Sequence, residues 1–225
     1  MDQDNKKLNV ANAAVNFIHN DCILGMGTGS TVNFLIDLLP EIKNKISKIV
    51  SSSIETERLL KSNGFEISQL NEVGSLDLYI DGADEATKNL HLIKGGGGAL
   101  TREKILAGSA RNFICIIDDS KLVSTLGKFP LPIEVIPMAR SFVSREIIKN
   151  KGQPIWREDF LTDNGNEIID VHNMEILNPI DTEQIINQIP GVVTVGIFAN
   201  RPADTLLIAN DEAVEEVVLN RSDKP

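Results

Sequence analysis

Cys22-Ile23-Leu24-Gly25-Met26-Gly27-Thr28-Gly29-Ser30-Thr31 starts as an apolar run and ends in glycines alternating with hydroxyl residues. Beyond it, Val32, Leu35, Ile36 and Leu39 share one helical face, and Pro40 closes the segment. The order is strand, glycine turn, helix. Such a turn puts a helix N-terminus at the carboxyl end of a strand, where its N–H groups can meet an anion. Thr28, Ser30 and Thr31 add hydroxyl donors beside Gly29. Gly25 and Gly27 fit the first two glycines of a dinucleotide fingerprint, but the third position is Ser30. The next strand, residues 46–50, runs into Ser51-Ser52-Ser53 and offers no acidic residue to a ribose. No G-x-x-x-x-G-K-[ST] loop occurs either. A small phosphate-bearing ligand is favoured over NAD or ATP.

The alternation of strand and helix extends in both directions. Residues 4–19 form a helical pattern with Val10, Ala13, Ala14, Phe17 and Ile18 on one side. Residues 55–62 read as a helix ended by Gly64, and 65–70 as a short strand. Residues 76–80 read as a strand that empties into Asp81-Gly82-Ala83-Asp84-Glu85. A helix follows at 100–110, then an apolar strand at 113–117 ending in Asp118-Asp119-Ser120-Lys121. From Leu131 the pattern changes to strand 133–136, helix 139–149, strands 154–156 and 167–172, a helix at 181–189 with Asp181 as N-cap, and strand 192–198. That is the β-α-β-β-α-β order of a ferredoxin-like unit. A strand at 205–209 and a closing helix at 211–219 return to the first domain. The expected fold is α/β: a Rossmann-like parallel-sheet domain (1–129 and 201–225) with an inserted smaller ferredoxin-like α/β domain (130–200) that serves assembly.

Composition narrows the function. With 225 residues the chain can bury a sizeable core. Its 32 acidic against 22 basic residues give a formal charge of -10, which argues against non-specific nucleic-acid binding. An anionic ligand must be held by a few local cations and backbone donors. Cys22 and Cys115 lie in apolar runs and read as buried free thiols. No apolar run approaches a membrane span, and the N-terminus does not read as a signal peptide, so the cytoplasm is expected. His19, His91 and His172 are scattered without a paired spacing, so no zinc site is expected.

The densest chemistry lies in Lys94-Gly95-Gly96-Gly97-Gly98-Ala99-Leu100-Thr101-Arg102-Glu103-Lys104. Four glycines in a row suit neither helix nor strand, but they allow several N–H groups to face one anion. Lys94 supplies a cation before them, and Glu103 a candidate base in the first helical turn after them. In a parallel sheet the carboxyl ends of strands carry the site, so Asp81 and Asp84 belong with the glycine turn. Two such carboxylates can bind Mg²⁺, hold sugar hydroxyls or move protons. Lys121 is a further cation at a strand end. The set holds no activated nucleophile and suits proton abstraction next to a carbonyl on an anionic, hydroxyl-rich small molecule. An amino-sugar-phosphate deaminase, a lactonase, a sugar sensor and a metal-dependent isomerase remain open on these residues.

These motifs together resemble ribose-5-phosphate isomerases of the A type. The resemblance covers essentially the whole chain. It rests on the stretch from Gly25 to Thr31, on Ser51-Ser52-Ser53, on Asp81 to Glu85, on Lys94 to Lys104, and on Gly127-Lys128-Phe129-Pro130-Leu131-Pro132-Ile133-Glu134-Val135-Ile136-Pro137. Asp163-Asn164-Gly165-Asn166 and Gly191-Val192-Val193-Thr194-Val195-Gly196 are similar too. One departure is Gly98, where many relatives are expected to carry alanine; it reads as added flexibility. The resemblance implies metal- and cofactor-independent interconversion of ribose 5-phosphate and ribulose 5-phosphate through an enediolate. It implies Glu103 as the proton shuttle and Lys94, beside Gly95, Gly96 and Gly97, as the oxyanion stabiliser. Asp81 and Asp84, with Gly82 and Ala83, would hold the sugar hydroxyls, Asp81 also assisting ring opening. Thr28, Gly29, Ser30, Thr31 and Lys121 would take the phosphate end, with Lys7 also directed toward it. The implied assembly is a homodimer or tetramer, with no nucleic-acid or membrane partner.

Overall fold

The structure, a computed structural model, describes residues 1–218. In chain order its elements are α1 (Gln3–Val15), β1 (Cys22–Met26), α2 (Ser30–Leu38), β2 (Ile46–Ser51), α3 (Ile54–Ser62), α4 (Leu70–Val73), β3 (Leu76–Asp81), β4 (Glu85–Ala86), β5 (Leu92–Ile93), α5 (Leu100–Ser109), β6 (Ala110–Asp118), β7 (Leu131–Val135), α6 (Arg140–Lys149), β8 (Gln153–Trp156), β9 (Glu167–His172), α7 (Pro179–Asn187), β10 (Val192–Val195), β11 (Ile197–Phe198), β12 (Thr205–Ala209) and β13 (Val214–Val218). They form two units. The first comprises Met1–Ala83, Arg102–Leu122 and the segment from Ala203; the second comprises Asp84–Thr101 and Val123–Pro202.

The first unit is built on a sheet ordered β13-β12-β6-β3-β1-β2. All its neighbours are parallel except the edge strand β13, which runs antiparallel to β12. Central parallel strands bury both faces, which is why Phe113, Ile114, Cys115, Ile116 and Ile117 are all buried without alternation. Burying each such Ile or Phe contributes roughly 1.5–3 kcal/mol. Asp2 caps α1 by accepting from Asn5 N at 2.8 Å, and Ser53 caps α3 by accepting from Thr56 N at 3.0 Å. Met26 pairs with both Ser51 and Ile80, and Asp81 with Cys115. This register levels the carboxyl ends of β1, β2, β3 and β6, so the loops that follow them start at one edge of the sheet.

The second unit carries an antiparallel sheet ordered β10-β7-β9-β8, the strand order of a ferredoxin-like unit, with α6 and α7 as its helices. Ile133, Val135, Val143, Ile147, Ile169, Val171 and Ile186 form its core. A smaller sheet, β11-β5-β4, lies in the same unit. The fold is α/β, a Rossmann-like parallel sheet interrupted by the ferredoxin-like insertion, as expected.

Four local expectations need correction. Residues 65–70 do not form a strand: a single parallel bridge joins Ile67 to Ile49, and then Gln69 and Glu72 cap α4 reciprocally. The N-cap of α7 is Asn178, not Asp181, because Pro179 suits the first helical position. The run 192–198 divides into β10 and β11, which belong to different sheets. At the division Gly196 donates to Pro132 O at 2.8 Å and accepts from Lys94 N at 2.9 Å. Residues 211–218 are not a helix but a turn and β13; Asn210 Oδ1 accepts from the amides of Glu212 and Ala213, and the valines of β13 favour extended backbone. Leu219, the last residue of that expected helix, lies outside the described residues, as do 220–225. Among the described residues no helix is long and apolar enough to cross a membrane.

Candidate active site

In the first unit the chemistry gathers after β1, β2 and β3. Asp81 is the last residue of β3 and is fully buried. Its Oδ1 accepts from Thr28 N at 3.0 Å and from Gly82 N at 2.7 Å. Its other oxygen accepts from the Tyr79 hydroxyl. Three donors therefore fix the carboxylate against the glycine turn. The turn can come this close because residue 27 has no side chain: a Cβ there would lie 2.0 Å from Asp81 Cγ. Gly29 has a different reason. Nothing crowds it, but its φ of 116° is one that L side chains rarely adopt.

Thr28 faces inward. Its Oγ1 donates to Ser53 Oγ at 2.9 Å and lies 2.9 Å from Ser52 Oγ, while Thr56 Oγ1 donates to Gly27 O at 2.8 Å. The triple serine after β2 is thus a capping and hydroxyl group that supports the turn. Ser30 and Thr31 open α2 with no side-chain cap, so its first-turn amides point where an anion can bind.

Glu103 sits in the first turn of α5 and is 4% exposed. Tyr79 reports its position: burial first, and then the charges of Asp81 and Glu103, hold that phenol well above its ordinary pKa of 10.0. Tyr79 stays protonated and donates. Its ring packs at 5.1 Å from that of Phe113. Lys121 lies just beyond β6, next to Asp118. Burial pushes the Asp118 carboxyl up, but the Ser120 hydroxyl and amide, Gln3 and the Lys121 charge together hold it below the usual range. Lys7 pairs with Asp4 on α1 at 3.5 Å. Its neighbour Lys6 holds Asp119 at 2.9 Å and Asp211 at 3.1 Å.

In the second unit the glycine run follows β5. Lys94 is 2% exposed, and its ammonium lies 5.7 Å from the Phe198 ring centroid, a cation–π contact. Asp84 accepts from Gly96 N at 2.8 Å, which fixes one amide of the run. Gly98 N donates to Gly95 O at 2.9 Å, closing a turn, and both glycines have positive φ. Gly98 is not a point of flexibility, as the sequence suggested. A Cβ there would lie 2.2 Å from Phe160 Cζ, so an aromatic ring fills the space. Gly97 is exposed with open space around it.

Three supporting residues were given no role by the sequence reading. Arg157 clasps Asp170 through Nε at 2.8 Å and Nη2 at 2.6 Å, and Nη1 donates to Gly96 O at 3.1 Å. Glu134, fully buried, accepts from the hydroxyls of Thr101 and Thr162 and from the side-chain amides of Asn164 and Asn166. The Asp163-Asn164-Gly165-Asn166 turn is therefore the outer half of a polar network around the buried Glu134. Glu85 accepts from Gly127 N at 2.8 Å and Phe129 N at 2.5 Å, tying down the loop before β7. Each of these partners is remote in sequence, so spacing gave no signal of them.

The family model for ribose 5-phosphate isomerase A (phosphoriboisomerase A) matches residues 48–213. Among solved structures, ribose 5 phosphate isomerase A from Neisseria gonorrhoeae is 44% identical, covers 98% of this chain and 99% of its own, and has a TM-score of 0.95. A D-ribose-5-phosphate isomerase in complex with phospho-erythronic acid is 38% identical, with coverages of 97% and 100% and a TM-score of 0.93. Ribose 5-phosphate isomerase a from Methanocaldococcus jannaschii is 38% identical, with coverages of 96% and 99% and a TM-score of 0.90.

Proposed function

The chain belongs to the ribose 5-phosphate isomerase A family, and from that premise we propose that it interconverts D-ribose 5-phosphate and D-ribulose 5-phosphate. The observation that carries the residue roles is that two buried carboxylates of the first unit, Asp81 at the end of β3 and Glu103 in the first turn of α5, both act on the Tyr79 phenol. Asp81 is pinned by three donors and suits a fixed, orienting part. Glu103, at the start of α5, is the group assigned to move the proton. In the open-chain aldose its carboxylate takes the proton from carbon 2, and the electron pair of that C–H bond forms the double bond of an enediolate. The negative charge develops on the oxygen of carbon 1. Lys94 and the amides of Gly95, Gly96 and Gly97 stabilise that charge. Transfer of the hydroxyl proton from the oxygen of carbon 2 to that of carbon 1, with return of the abstracted proton to carbon 1, gives the ketose. Asp81 and Asp84, with Gly82 and Ala83, hold the hydroxyls, and Asp81 assists ring opening. Gly29, Ser30 and Thr31 at the N-terminus of α2, with Thr28 and Lys121, hold the phosphate. The relative that binds phospho-erythronic acid supports a phosphorylated, sugar-derived ligand. The chemistry uses no metal.

The activity places the chain in the non-oxidative branch of the pentose phosphate pathway. Cys22 and Cys115 are buried and in no disulfide, which supports a reducing, cytoplasmic setting. The exposed apolar side chains of Met138, Phe142, Ile148 and Ile185 support assembly of the smaller unit into a homodimer.

The test is an assay with ribose 5-phosphate in deuterated water with excess chelator, comparing wild type with Glu103→Gln. Solvent deuterium should enter carbon 1 or 2 in the wild type, and the variant should turn over on the order of 10²-fold more slowly while substrate binding survives. Near-normal turnover in the variant removes Glu103 from the mechanism. Loss of wild-type activity in chelator removes the metal-independent reading.

A further inference from the structure

His19, Cys22 and Asp77 converge at the end of the parallel sheet opposite Asp81. Cys22 opens β1 and Asp77 is the second residue of β3. One ligand atom from each of the three lies within 4.8 Å of the other two. The backbone around them is specialised. Asp21, just before Cys22, has a φ of 59°. Ser47 Oγ donates to the carbonyls of Asp21 at 2.9 Å and Cys22 at 3.2 Å. The β1–β2 register slips between Cys22 and Ile23, where Ser47 of β2 is the extra residue. His19 Nδ1 lies 2.8 Å from the Asn20 carbonyl oxygen. A carbonyl only accepts, so Nδ1 carries the proton and Nε2 holds a lone pair, as in metal-binding histidines. Asp77 Oδ2 accepts from Ile23 N at 3.0 Å, which fixes the carboxylate.

We infer that His19, Cys22 and Asp77 form a binding site for a divalent transition-metal cation of the zinc class, remote from the isomerase chemistry. The donor set decides the class. Magnesium and calcium take oxygen ligands, whereas one imidazole nitrogen, one sulfur and one carboxylate oxygen suit zinc or cobalt. Three protein ligands leave a fourth position for water. Binding exchanges the thiol S–H bond for a metal–sulfur bond and releases one proton to solvent. Arg111 is the local competitor. Its Nη1 lies 3.3 Å from Asp77 Oδ1, and its side chain is 72% exposed, so it can move into water as a cation enters. The bound ion would tie the α1–β1 turn to β3.

Cobalt titration of the reduced full-length protein tests this, because a thiolate–cobalt charge-transfer band reports the sulfur directly and needs no activity. One equivalent should give the band, zinc should displace it, and Cys115→Ala should keep it. Cys22→Ser should abolish the band, and His19→Ala, an exposed position, should weaken binding about tenfold or more. Arg111→Ala should tighten it, since a competing cation is gone. Isomerase activity of the His19 and Arg111 variants should equal wild type. The site is overturned if millimolar cobalt gives the wild type no band, if the band survives Cys22→Ser, or if His19→Ala binds as tightly as wild type.

Discussion

The Tyr79 hydroxyl donates to the Asp81 carboxylate from two residues earlier on β3. Side chains two apart share a face of a strand, so this pair is local, and both residues are 0% exposed. The proposed orienting carboxylate is thus held by its own strand as well as by the glycine turn.

Tyr79 is the chain's single tyrosine, so its ionisation can be followed without interference. Its folded pKa is raised well above 10.0, by burial first and then by Asp81 and Glu103. An unfolded phenol loses its proton near about pH 10, so above that pH the unfolded chain binds fewer protons than the folded one. Stability contributed by the neutral phenol is present below about pH 10 and is lost as pH rises through the folded value. Tyrosinate absorbance should therefore emerge only with alkaline unfolding. In Tyr79→Phe the alkaline slope should shrink, while stability at neutral pH falls by about 1–3 kcal/mol because Asp81 loses a donor. Reversible tyrosinate absorbance near pH 10 in the folded protein would count against this.

Gly27→Ala should cost activity far more than Gly29→Ala. The first puts a Cβ 2.0 Å from Asp81 Cγ, whereas the second meets nothing within 4 Å. Overpacking at position 27 should destabilise by about 1–3 kcal/mol and displace the carboxylate, lowering turnover on the order of 10²-fold. Position 29 should mainly incur the strain of positive φ, about 1–2 kcal/mol. Thermal unfolding and steady-state kinetics on both variants separate these effects; equal losses of turnover would refute the close-approach explanation.

Gly98→Ala should be destabilising for two separable reasons, a φ of 86° and a Phe160 ring 2.2 Å from the new Cβ. Phe160→Leu in the same chain should recover the steric part and leave about 1–2 kcal/mol of backbone strain. A double-mutant cycle of urea midpoints measures the coupling. Strict additivity would show that the ring is not the obstacle.

Glu134→Ala removes the shared acceptor of Thr101, Thr162, Asn164 and Asn166. Of these donors only Thr162 is buried, and a buried donor left unmatched costs about 1–3 kcal/mol, so the loss should be about 1–3 kcal/mol. Denaturant unfolding checks it. A change below 1 kcal/mol would mean that water replaces the carboxylate.

Much of the fold was legible because its signals are local. The apolar run before Gly25 and the helical face after Ser30 announce a strand–turn–helix, and the structure has β1 and α2 there. The misreadings came where a distant partner decides. Residues 214–218 are extended because β12 offers them an edge. The run 192–198 divides because Gly196 is held by Pro132 and Lys94. Among candidate site residues, Asp81, Lys94 and Glu103 could be picked out by type and position, whereas the contacts of the Thr28 hydroxyl with Ser52 and Ser53 could not be read from spacing. The supporting roles of Arg157, Glu134 and Glu85 were not legible, since their partners lie 61, 33 and 44 residues away.

The sequence by itself determined most of the element types, the fold class and the chemical groups offered after β1, β3 and β5, because propensity, periodicity and glycine placement act over a few residues. Only the tertiary structure decided why Gly27 and Gly98 must lack side chains, which carboxylates are pinned as scaffold, and that His19 and Cys22 meet Asp77. Those outcomes depend on close packing and on pairing buried polar groups. Such pairing joins residues by distance in space, which no spacing along the chain encodes.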